Sequence, residues 1–251
     1  RPMILLNKTV IFTVLFSIAF FVLHAADSTG MMIRADLDDL GGVPWLYSAV
    51  CLIFSILAGF IIQHEWDQWN ALVEAMNGEV SAIQHLRLWS QHVPDLRKSV
   101  HEALRQYLTA TIEDEWGPVP NSENEASQKA LSIVWEGVAT CPHSPGLVMP
   151  VTAIVGDLLR HREYRLHSGQ RRMPPVLKWT VGFADGLVIV LSLFVGVKHL
   201  WLDYLFTLSI AMLAYVVYLV IDDLDNPLRP GIWHVTSKRY ERLLAQLQLQ
   251  T

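Results

Sequence analysis

Three carboxylates and an amide crowd the segment IDDLDNPLRPGIW: Asp222, Asp223, Asp225 and Asn226. Such side chains are hard oxygen donors, the type that calcium prefers, but calcium usually takes roughly six to eight oxygens. This stretch offers too few to complete that shell. Helical spacing puts Asp222 and Asp225 on one face and points Asp223 elsewhere. The expected role is therefore structural. Pro227 ends a helix, and the aspartates bond to backbone or pair with Lys and Arg. A divalent-ion site on Asp222 and Asp225, or a part in an ion path or gate, is the alternative.

A second carboxylate stands alone. Asp185 lies in GFADGL, about ten residues into an apolar run. An ionisable group at membrane depth is costly and faces protein interior or water. A pore charge, a proton relay, an ion site and a hydrogen-bonded structural carboxyl all fit that position. Gly182 and Gly186 flank it at helical spacing and admit a close helix neighbour. His199 and Asp203 are about 14 to 18 residues further on, some 20 Å at 1.5 Å per residue. That distance argues against a shared proton-transfer site. A third pattern is a stripe of small residues in another apolar run: Ser48, Cys51 or Leu52, Ser55 and Gly59. Such stripes pack helices together, and they also line narrow pores.

Catalytic and cofactor signatures are missing. There is no phosphate-binding glycine loop, dinucleotide fingerprint, nucleophile elbow or HExxH. The ten histidines are scattered; His161 and His167 around Glu163 read as solvated surface rather than a metal site. No enzyme activity and no cofactor are expected. A net charge of −5 gives no sign of nucleic-acid binding.

The elements that must position these residues follow from hydropathy. Of the 251 residues, 52% are hydrophobic and only 17% charged, and the mean hydropathy is +0.30. Soluble domains carry roughly 25% charged residues. Four runs approach the roughly 20 apolar residues needed to cross a bilayer: 5–26, 43–63, 176–197 and 200–221. The first also has features of a signal peptide, with Arg1 and Lys8 before the apolar stretch and HAAD after it; a retained helix is expected. The third and fourth runs are joined so tightly that they form an antiparallel hairpin. The acidic loop between the first two contains Asp36, Asp38, Asp39 and Gly41-Gly42.

Ten Lys and Arg lie between His64 and Pro175, and four follow Ile221. By the positive-inside rule these regions, and both termini, are cytoplasmic. The basic stretch before the third run reads as this flank rather than as an anionic-lipid site. Trp45 and Trp201 then mark the outer interface, and Trp66 and Trp179 the inner one. Apolar residues recur at three and four through Leu72, Met76, Ile83 and Leu86, with no proline between Pro44 and Pro94. The second span is thus expected to continue as one helix to about Trp89. Further helices are expected at 94–116, 122–138 and 150–167, with a short amphipathic helix over 236–249. The domain plan is a first hairpin (1–63), a cytoplasmic helical region (64–175), a second hairpin (176–221) and a cytoplasmic tail (222–251).

These parts resemble the bestrophins. HEWDQWNAL, His64 to Leu72, is similar to the Trp-x-Gln-aromatic segment closing the second bestrophin span. DDLDNPLRPG resembles the Asn-Pro-Phe-Gly turn after the last span, with Leu228 in place of Phe. The whole chain is similar to the bacterial bestrophin-like membrane family, over about Val43 to Leu247. The resemblance implies an all-α membrane protein with four transmembrane helices in two hairpins around a helical insert. It also implies a homo-pentamer in the bacterial inner membrane, with an anion pathway lined by the second span. Aligned through Trp66, Ser48, Leu52 and Ile56 take the neck positions, four apart on one helix face, where bestrophins carry bulky aromatics. The carboxylates of the animal calcium clasp have no counterpart in IWHVTSKRY, so that site is not carried over. An oligomeric anion channel is the expected function. The alternative is a non-conducting scaffold or accessory subunit of a larger membrane complex.

Overall fold

The long apolar runs form long helices. In the computed structural model, residues 2–28, 35–36, 43–92, 94–114, 116, 125–139, 145–196 and 199–248 are described. The helices are α1 (Pro2–Ala26), α2 (Val43–Ser90), α3 (Pro94–Asp114), α4 (Glu125–Ala139), α5 (Pro145–Gln170), α6 (Pro175–Phe194), α7 (Leu200–Leu224) and α8 (Lys238–Gln248). Four of them, α1, α2, α6 and α7, are long and apolar enough to cross a membrane. The fold is all-α. Extended pairing among the described residues is limited to β1 (Ala35–Asp36) and β2 (Val195–Gly196), two residues each, in parallel. That pairing explains why α6 stops at Phe194, short of the apolar run: Val195 turns extended, at φ −95 and ψ 115. Most of the acidic loop between the first two spans, including Asp38, Asp39 and Gly41-Gly42, lies outside the described residues, as does the start of the helix expected over 122–138.

The chain divides into two compact units: Arg1–Trp66, Arg172–Asn226 and Pro230–Trp233 form one, and Asp67–Arg171, Pro227–Arg229 and His234–Thr251 the other. Helix α2 contributes to both. In the first unit, α1 packs on α7 through aromatic rings. Phe12 stacks on Tyr215 with centroids 4.1 Å apart, and Phe20 meets Tyr204 at 5.3 Å. The Ser17 hydroxyl is 2.8 Å from that of Tyr204. Phe54 and Ala58 of α2 pack with Val188 of α6 and Ala214 of α7. Ile61, Val181 and Ile221 form a second cluster with Met173. Apolar lipid gives such helices no solvent-driven reason to associate, so close fit and polar contacts hold them.

The second unit has a water-type core. Leu72, Met76, Ile83 and Leu86 of α2 pack with Leu104, Tyr107 and Leu108 of α3, Leu158 of α5, and Leu243 and Leu247 of α8. Each fully buried leucine contributes roughly 1.5–3 kcal/mol of transfer free energy. Helix α5 crosses α2 closely at Gly78, where a methyl group would overlap the His161 imidazole. Helix α5 also starts earlier than its proline suggests: Pro145 opens it, and Pro150 sits inside. The missing Pro150 N–H forfeits one bond in the first two turns, which the rest of the helix outweighs.

Candidate functional site

Helix α2 presents two opposite faces in the first unit. Phe54, Ala58 and Ile61 are buried against α6 and α7. Ser48, Leu52, Ser55, Ile56 and Gly59 all lie on the exposed side. Leu52 is 61% and Ile56 53% exposed, and a methyl group at Gly59 would meet open space. The Ser55 hydroxyl donates to the Cys51 carbonyl at 2.7 Å, the local back-bond that serine makes within helices. This face carries no formal charge. Its side chains are apolar or hydroxyl-bearing, and among the described residues Leu52, Ser55 and Ile56 belong to no packed cluster.

The acidic exit is a hydrogen-bonded clasp at the end of α7. Asp225 Oδ1 accepts the Met173 backbone N–H at 2.6 Å, and Oδ2 accepts from Lys178 Nζ at 3.0 Å. The same ammonium donates to Asp222 Oδ1 at 2.8 Å. Asp222 and Asp225 thus share one face and one cation. Asp223 points the other way, and its Oδ2 accepts the N–H groups of Ile232 at 2.9 Å and Trp233 at 3.2 Å. Asn226 Nδ2 donates to Asp225 Oδ2 at 3.3 Å. Gly231 lies so close to Asp223 that a methyl group there would overlap the carboxylate. Every carboxylate in the motif is engaged by the chain's own donors. Among the described residues, no group of three His, Cys, Asp or Glu is arranged to hold a metal ion.

Asp185 has the opposite environment. It is 6% exposed, and its Oδ1 has no hydrogen-bond partner among the described residues. It lines a cavity of about 720 Å³ bounded by α1, α6 and α7.

The second unit contains a buried network that pattern reading missed. Glu79 is 0% exposed. Arg165 grips it with both arms, Nε to Oε2 at 2.6 Å and Nη2 to Oε1 at 3.2 Å. Tyr240 donates its hydroxyl to Oε2 at 3.0 Å, and Tyr107 donates to Oε1. The Arg165 guanidinium also lies 5.6 Å from the Tyr240 ring centroid. Burial alone would lower the Arg165 pKa, but the Glu79 carboxylate outweighs it and holds the value well above the usual range. Burial, reinforced by the same carboxylate, pushes the Tyr240 phenol well up. One carboxylate therefore ties α2, α3, α5 and α8 together. The signal was present: Leu72, Met76, Glu79, Ile83 and Leu86 follow one helical stripe, so Glu79 occupies a core position. Arg162 and Arg165 likewise continue the buried stripe of Val151, Val155 and Leu158, at 7% and 4% exposure. The charge count took the two arginines together with the other basic residues of the region and did not set them apart as core.

Four apolar helices and a buried, charge-tied helical unit define a polytopic membrane protein of all-α build. The chain belongs to the Bestrophin-like family: that family's model, the Bestrophin-like domain, matches residues 10–236. Its fold is that of solved bacterial bestrophin homologues from Klebsiella pneumoniae. A form with an isoleucine-to-threonine mutation superposes with a TM-score of 0.74 at 9% identity, covering 97% of this chain and 98% of that one. A form with a leucine-to-threonine mutation gives 0.70 at 10% identity over 98% and 97%. A third, solved by zinc phasing, gives 0.66 at 11% over 98% and 97%. No curated protein matches the chain.

Proposed function

We propose that the chain is an oligomeric anion channel whose pathway is lined by α2. The observation that carries this reading is the divided use of that helix. One side packs on α6 and α7, while Ser48, Leu52, Ser55, Ile56 and Gly59 remain exposed. A ring of copies related by rotation would bring these faces together around an axis, as closed oligomers do. Five copies is the number the family resemblance implies. The resemblance also supplies the sign of the ion, since the face itself is uncharged. Selectivity then depends on helix dipoles, hydroxyls and width rather than on a charged ring. The Lys and Arg excess around the second unit supports cytoplasmic termini in a bacterial inner membrane.

Purified protein in planar bilayers under a chloride gradient should pass current that reverses toward the chloride potential. Symmetric particles should be visible in projection. Silence under all conditions, or purification only as a single copy bound to unrelated membrane chains, would favour a non-conducting scaffold instead.

A further inference from the structure

The cavity beside Asp185 has features of a ligand site rather than a packing defect. Its volume of about 720 Å³ falls in the roughly 300–1,000 Å³ range of small-molecule sites. Asp185 is its one uncommitted charge. A buried carboxylate oxygen without a donor is costly, and native structures rarely leave one so. The other charged group on the wall, Lys178, cannot serve as that donor, because its ammonium is held between Asp222 and Asp225 at 2.8 and 3.0 Å. The cavity therefore favours a cation.

Its remaining walls are apolar and largely aromatic. Tyr215 and Phe12 stack with an interplanar angle of 7°, Trp179, Phe183 and Tyr218 add three more rings, and Met173, Pro175 and Ile189 supply aliphatic surface between them. Ring faces attract a desolvated cation. Gly182 and Gly186 contribute no side chains to the wall; a methyl group at Gly186 would meet open space. The mouth is apolar, with Trp179 79% and Phe183 72% exposed. A hydrated metal ion or a polar solute would lose water there without replacement. A ligand with one charged N–H and a hydrophobic body loses little.

We infer that this cavity binds a lipophilic amine, a protonated tertiary ammonium bearing apolar groups, whose N–H donates to Asp185 Oδ1 while its body lies among the rings. The site stands apart from the α2 face and does not depend on conduction. Tritiated imipramine, a tertiary amine on an apolar tricycle, is a suitable probe for the full chain in nanodiscs. Saturable binding at one molecule per chain is expected. Asp185→Asn should weaken it at least about tenfold, as loss of a charge-assisted hydrogen bond entails. Trp179→Ala should weaken it as well. The bare tricycle iminodibenzyl, which lacks the basic side-chain amine and stays uncharged, should compete poorly. An unchanged melting curve for Asp185→Asn would show that the loss is local.

Three results would overturn the inference. One is uptake that never saturates. Another is equal binding by Asp185→Asn. The third is efficient cross-linking of Phe183→Cys between copies with no amine binding, which would mean that a second copy fills the cavity.

Discussion

Two buried carboxylates, one in each unit, have opposite fates. Glu79 is met by a bidentate arginine and two tyrosine hydroxyls. Asp185, nearly as buried, has an oxygen that nothing in the described chain satisfies. Burial alone therefore does not distinguish these two carboxylates; completeness of partners does. A satisfied network rigidifies the unit that contains it. An orphaned oxygen beside a cavity is a cost that a ligand can relieve. The acidic exit sides with Glu79, since its three aspartates are engaged by Lys178 and backbone N–H groups.

Substitutions at each carboxylate test this contrast. Glu79→Ala strands the Arg165 charge in the core, and removing one partner of a buried pair costs roughly 3–5 kcal/mol. A large fall in melting temperature by circular dichroism is expected, and a Glu79→Leu, Arg165→Met double variant should recover part of it. Asp225→Ala removes the acceptor of Met173 N–H and one of the two carboxylates on Lys178. Hydrogen bonds involving charged groups are worth roughly 1.5–3 kcal/mol, so a smaller drop in the same assay is expected.

His101 should give a smaller effect, visible as a pH slope. Burial, then the nearby Arg87 and Arg97 charges, lower its pKa from the usual 6.5. The folded state thus binds protons less readily than the unfolded one. The stability involved is fully present above pH 6.5 and is lost as pH falls through the lowered value. Solvent screening keeps the change under about 1 kcal/mol. Melting at a series of pH values should show the loss, and His101→Gln should flatten it. Smallest of all is Asp185→Asn, which removes no described partner. Its melting should stay within about 0.5 kcal/mol of the parent; a loss as large as that of Asp225→Ala would place Asp185 among the structural carboxylates.

How much of this was legible depended on what fixes each feature. The four spans followed from hydropathy, because lipid demands long apolar helices. The continuation of α2 to Ser90 followed from the absence of proline between Pro44 and Pro94. The shared face of Asp222 and Asp225 followed from helical periodicity. Their partner did not: Lys178 lies far off in sequence, and only the packing of α6 on α7 brings it near. Glu79 and Arg165 were hidden by their charge, although their stripe positions marked them as core. The start of α5 was misplaced because a proline reads as a helix opening even when the helix runs through it. The Asp185 cavity was out of reach, being a gap that only the packing of α1 against the α6–α7 pair creates.

The proposed pathway is tested most directly by thiol access to the exposed face of α2. On a Cys51→Ser, Cys141→Ser background, Leu52→Cys channels in planar bilayers would be exposed to a charged, water-soluble thiol reagent. The account predicts rapid modification and a marked fall in current, because residue 52 lines a wet path. Current that persists unchanged while a cysteine placed at Phe54, on the packed side, is the one modified would contradict it.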